Sequence, residues 1–279
     1  MRLIFSKIAG QLQNVLRNFG IRLERISTIE KLRLKSWQLD SIQIWDKSTA
    51  PVELKRFIIN NIHSSNAQLQ QDLIAIWINS NCGSESKSRF YVEFGACDGV
   101  EYSNTLQLEQ LGWEGILAEP ARNYRKALIS NRQAHLDFRA VAARSGEYLK
   151  FVEAGVLSSL EKFSREDSHA FERHKNSRNY FVETVTLDQL LSYYDAPQKI
   201  NFLSVDTEGS ESSILREFNF DNWTIDFICV EHNFSSQRLE ILEILERNGY
   251  TNILSEVSDF DLWFIPNRYG HLFVTGSEN

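Results

Sequence analysis

The chain has 279 residues, 42% hydrophobic and 24% charged, enough for one sizeable core and too ordinary for a disordered, collagen-like or repeat protein. Its net charge of −7 argues against nucleic acid as a partner, because phosphate binding needs a basic footprint. Three cysteines without metal-type spacing, Cys82, Cys97 and Cys229, argue against a disulfide framework or a zinc site and fit a reducing cytosol.

Residues 1–36 carry eight Lys and Arg against Glu24 and Glu30. Within them Ile4, Ile8, Leu12, Val15, Leu16 and Phe19 recur at helical spacing, and Gly20 is a natural stop. Ser6, Lys7 and Gln11 interrupt the apolar run too early for a cleaved leader, so this is a retained amphipathic helix. It suits docking on the domain or on a second subunit, or attachment to an anionic membrane surface. No run of about 18 apolar residues exists to span a bilayer. The expected division is a helical extension, 1–62, and a catalytic domain, 63–279.

Residues 65–78 form the next helical segment, with Leu69, Leu73, Ile76 and Trp77 on one face, and 79–88 reads as a loop. Short apolar runs then alternate with helical patterns, which implies βαβ units and a parallel sheet. The expected strands are Phe90–Phe94, Gly115–Ala118, Leu136–Ala142, Ile200–Val205 and Phe227–Val230, with helices near 102–111, 121–130 and 209–218. Tyr148–Val152 and Tyr180–Val185 read as extra strands flanking a polar stretch, 155–179, and Thr186 to Gln189 has the form of a capping box. A helix over 236–248 has Ser235 or Ser236 as N-cap and Gly249 after its end. Thr251–Val257 and Asp261–Ile265 are so close that they demand an antiparallel hairpin.

Four motifs end these strands. Tyr91 to Val100 runs a strand into a turn in which Gly95 and Gly99 admit close approach of a ligand. The pattern is not the G-x-G-x-x-G of a dinucleotide site, and Glu93 and Asp98 would repel a pyrophosphate. They would attract the cationic groups of S-adenosylmethionine instead. Glu119, before Pro120, ends the next strand where a ribose needs a two-oxygen acceptor. Leu203 to Glu211 ends another strand in Asp206 and Glu208, suited to orient or deprotonate a hydroxyl. Val230 to Asn233 adds Glu231 and His232, the best-placed imidazole for a general base. Asp206, Glu231 and His232 are the candidates for a divalent cation, although the donor set does not lead us to expect one.

Taken in order, several runs carry a family resemblance. They are Val92-Glu-Phe-Gly-Ala-Cys-Asp-Gly99 with Tyr102-Ser-Asn-Thr105, Leu111 to Pro120, Ser204 to Glu211, Val230 to Asn233, and Gly249-Tyr250. The chain resembles the FkbM-type methyltransferases over roughly residues 65–266. The resemblance implies an α/β class I methyltransferase fold, Rossmann-like and mostly parallel with an antiparallel C-terminal hairpin. It implies O-methylation of a hydroxyl, often on a sugar or a glycan or glycolipid precursor. The implied cofactor site is Glu93, Gly95, Ala96, Asp98, Gly99, Ser103, Glu119 and Pro120, with Asn104 beside the methionine portion and Ala140 and Val141 beside the adenine. Gln68, Gln71 and Asp72 are placed near the site, and Asp206, Glu208 and His232 near the acceptor. His169 and His174 lie in the stretch 155–179, which matches no pattern, and are read as solvated. The alternatives are a nicotinamide-dependent oxidoreductase on a related sheet and a non-catalytic, membrane-associated scaffold.

Overall fold

Apolar runs covered on both faces satisfy their backbone only by pairing with one another, and here they do so side by side. The computed structural model describes residues 37–82, 89–164, 170–175 and 177–274. In chain order the strands are β1 Phe90–Phe94, β2 Glu114–Ala118, β3 His135–Asp137, β4 Ala140–Val141, β5 Tyr148–Glu153, β6 Ser159–Leu160, β7 Arg178–Val185, β8 Lys199–Ile200, β9 Phe202–Val205, β10 Thr224–Ile225, β11 Ile228–Glu231, β12 Tyr250–Ile253 and β13 Asp261–Pro266. The helices are α1 Val52–Asn61, α2 Gln71–Asn81, α3 Leu106–Gln110, α4 Arg125–Asn131, α5 Ala170–Lys175, α6 Leu187–Tyr193, α7 Glu211–Glu217 and α8 Gln237–Arg247.

The main sheet has seven strands in the order β12-β13-β11-β9-β1-β2-β3. The run β11-β9-β1-β2-β3 is parallel, and β13 lies antiparallel between β11 and β12. This is the expected Rossmann-like sheet with its closing hairpin. The hairpin's first arm stops at Ile253, because Leu254 turns into the left-handed region and Val257 belongs to the connection. A smaller sheet, β4-β7-β5-β6, is built from the two extra strands and their flanks.

Two expected strands are each broken in two. Leu136–Ala142 divides because the Asp137 carboxylate accepts from the backbone N of Arg139 at 2.8 Å, a local turn that sends β3 into the main sheet and β4 into the small one. Ile200–Val205 divides at Asn201, whose Oδ1 takes the backbone N of Phe90 at 2.9 Å. Three helices begin later than their periodicity predicts, at Leu106, Arg125 and Glu211. The segment at 65–78 is helical only from Gln71, since Gln70 is left-handed. Thr186 does cap α6, accepting from the backbone N of Gln189. Ser236 precedes α8 without a side-chain cap, while Gly249 follows that helix at φ +83° as expected.

The chain divides into two units, Met1–Asp46 and Lys47–Asn279, so α1 lies in the second. Of the first, residues 37–46 are described and are helical. The amphipathic helix expected over 1–20 and His169 lie outside the described residues. Among the described residues no helix is long and apolar enough to cross a membrane. Cys82, Cys97 and Cys229 are free, and Cys229 is buried in the sheet as expected.

Candidate active site

Parallel register decides where the four motifs meet. Phe94 pairs with Ala118, Glu93 with Ser204, and Val205 with Val230. The residues that follow, from Gly95, Glu119, Asp206 and Glu231, therefore leave one edge of the sheet together. In an open α/β sheet that edge is where ligands bind.

The turn after β1 is shaped by close approach. Gly95 sits at φ +71°, and a Cβ there would lie 2.2 Å from the carbonyl oxygen of Asp206. Gly99, at φ +78°, would press a Cβ against Arg132 and Leu128. Glu93 is buried and faces inward, with its carboxylate accepting from the backbone N of Asn104 at 2.8 Å and from Ser103 Oγ at 3.2 Å. Asp98 accepts from the backbone N of Val100 and Glu101, fixing the turn rather than projecting from it. Ala96 and Ser103 are buried.

Arg132, which sequence reasoning missed, holds this turn. Its buried guanidinium donates to the carbonyl of Gly99 and to Ser103 Oγ, both at 3.1 Å, and to Thr105 Oγ1, Tyr91 Oη and Glu109. It also lies 3.8 Å from Glu93. Nothing in its neighbourhood of sequence marks it out; only the fold brings α4 beneath the turn.

Glu119 accepts from the backbone N of Cys97 at 2.9 Å and of Ala121 at 2.7 Å. Burial pushes its carboxyl up to about 7. The Cys97 thiol is raised by burial and by the same carboxylates, so it stays neutral. Asn104 bonds Ser204 through Nδ2 at 2.9 Å, while its buried Oδ1 has no partner. Ala140 and Val141 are buried in β4, and Pro120 is half-buried.

The segments after β9 and β11 line a pocket with Phe163, its walls including Glu208, Gly209, Glu231, His232 and Asn233. Carboxylate oxygens of Asp206, Glu208 and Glu231 lie within 4.8 Å of one another. Thus Glu208, rather than His232, joins Asp206 and Glu231 in the grouping of candidate cation ligands. Part of their charge is met: the buried Arg173 donates to Glu208 Oε2 at 2.9 Å, and burial beside Asp206 favours the protonated form of Glu231. Burial pushes Asp206 up to about 7, and burial together with Asp206 raises Glu231 well above the ordinary carboxylate range.

His232 is buried, and its Nδ1 accepts from the backbone N of Phe234 at 2.9 Å. The proton of the neutral ring is then on Nε2, a donor. Burial and nearby Arg238 lower its pKa and favour that neutral form. Asn233 and Phe234 are both left-handed, the shape that this local bond closes.

Of the residues expected from the helix before β1, Gln71 donates to Asp261 Oδ2 at 2.8 Å, and Asp261 pairs with Glu231 in register. Asp72 closes its own loop through Ser65 and Asn66, and Gln68 is exposed. His174 is exposed, with Nε2 3.1 Å from Ser164 Oγ.

Comparison with known families gives one finding: the model of the methyltransferase FkbM domain matches residues 93–251. No curated protein matches the chain.

Proposed function

The chain belongs to the FkbM methyltransferase family, and on that premise we propose that it transfers a methyl group from S-adenosylmethionine to a hydroxyl of a sugar or of a glycan or glycolipid precursor. Membership sets aside the nicotinamide-dependent alternative. The observation that carries the proposal is the contact between two half-sites: the Gly95 turn abuts the backbone of Asp206, whose carboxyl group lies within 4.8 Å of the pocket-lining Glu208 and Glu231.

The residues present fit the donor. Asn104 Oδ1 is a buried acceptor without a partner, which a methionine ammonium group satisfies. Glu119 keeps lone pairs beyond its two backbone bonds for ribose hydroxyls. Gly95 and Gly99 serve packing, because Asp206, Arg132 and Leu128 occupy the space that their Cβ atoms would need, while Ala140 and Val141 offer an apolar wall for a base. S-adenosylmethionine, when bound, supplies an electrophilic methyl group on a sulfonium.

On the acceptor side Asp206 receives the hydroxyl proton. A carboxylate of pKa about 7 is a stronger base than an ordinary aspartate and still ionises near neutrality. Glu208 accepts from the same or a neighbouring hydroxyl, and His232 Nε2–H donates to an oxygen of the acceptor. Because the reaction is a single displacement, orientation supplies most of the rate. A cytoplasmic setting, with membrane contact or self-association through residues 1–20, completes the proposal; its support is the basic, amphipathic pattern of that segment.

The test is release of S-adenosylhomocysteine from S-adenosylmethionine in the presence of methyl glycosides. Glycoside-dependent release supports the proposal, and release that occurs only with amine or thiol acceptors contradicts it.

A further inference from the structure

Arg173 lies in the polar stretch that no sequence pattern explains, yet its side chain is fully buried. Its Nε donates to the carbonyl of Leu157 at 2.6 Å, Nη1 to the carbonyl of Ser164 at 2.9 Å, and Nη2 to Glu208 Oε2 at 2.9 Å. The first two bonds tie the stretch to itself; the third reaches a carboxylate that lines the acidic pocket. A second tie runs the same way, from Ser159 Oγ to the carbonyl of Glu208 at 2.7 Å. Glu208 sits at φ +57°, a conformation that L side chains rarely adopt, and a Cβ on Gly209 would lie 2.9 Å from Phe163 Cβ. The loop after β9 is thus clamped from outside in a strained shape.

Three carboxylates crowded together relax by turning apart or by taking up protons. A buried guanidinium prevents both at the carboxylate that it binds, because a fixed planar cation sets the orientation of its partner as well as its charge. We propose that Arg173 is a positioning residue for the acceptor, fixing the orientation of the Glu208 carboxylate that lines the pocket. The inference rests on the reading of this pocket as the hydroxyl site. It gives Arg173 a role: it delivers the cation that the strand-end motifs lack.

A double-mutant cycle tests this, using S-adenosylhomocysteine release with methyl glycosides and titration of S-adenosylmethionine affinity. Arg173→Gln lowers kcat/KM by about tenfold or more with donor affinity unchanged, and Arg173→Lys recovers part of the loss. In a Glu208→Gln background, Arg173→Gln causes no further loss, because the partner through which it acts is gone. Additive losses, or wild-type rates in Arg173→Gln, overturn the inference. If Arg173→Gln fails to fold, Arg173→Lys carries the same cycle, and its loss must vanish in the Glu208→Gln background. An active wild type with additive losses overturns this inference alone; a wild type that releases nothing with any glycoside overturns the hydroxyl reading and the inference with it.

Discussion

Asp206 joins the two halves of the site: its backbone fills the space that a side chain on Gly95 would need, and its carboxyl group faces Glu231. With its pKa pushed up to about 7, the base is protonated below neutrality and ionised above it. Turnover at saturating substrate therefore rises with pH through about 7 and then levels, and a flat profile from pH 6 to 8 would count against Asp206 as the base. Asp206→Asn lowers kcat by about a hundredfold or more while donor affinity changes little. His232, kept neutral by burial and Arg238, acts as a donor, so His232→Ala lowers turnover and spares donor affinity. Unchanged turnover in that variant would remove it from the mechanism. At this scale the acids were legible because each ends an apolar run. Arg132 and Arg173 were not, since each is an ordinary Arg in a polar segment until folding buries it.

At the scale of elements, two glycines separate backbone strain from steric contact. Gly249, after α8, sits at φ +83° with open space where a Cβ would go. Gly249→Ala therefore costs only the left-handed penalty, about 1 kcal/mol by thermal or denaturant unfolding. Gly95→Ala adds a clash with the Asp206 carbonyl to the same penalty, so it costs clearly more and also lowers donor affinity. Equal costs would contradict the close approach of the β1 turn to the Asp206 backbone after β9. Strands and the Thr186 cap were legible because period and local side-chain bonding set them. The breaks at Asp137 and Asn201 were not, because single side chains there redirect backbone bonding that an apolar pattern does not register.

For the whole molecule, the sheet order was readable as a class, parallel with a closing hairpin. The small sheet and the burial of Arg173 beside Glu208 depend on long-range contacts that no local pattern encodes. Burial also shapes the dependence of stability on pH. Glu119 is pushed up to about 7 from an ordinary 4.5, and Asp72 to about 6 from 3.8. A carboxyl raised on folding favours the fold fully below its unfolded pKa and loses that contribution as pH rises through the folded one. The Tm of the ligand-free protein therefore falls between about pH 4 and pH 7, and a Tm rising across that window would contradict the burial of these two groups.

The central claim is the donor. Isothermal titration of the full chain with S-adenosylmethionine, with NADH as the comparison, tests it directly. The account predicts saturable binding of S-adenosylmethionine and none of NADH. Binding of NADH alone, or of neither, would contradict it.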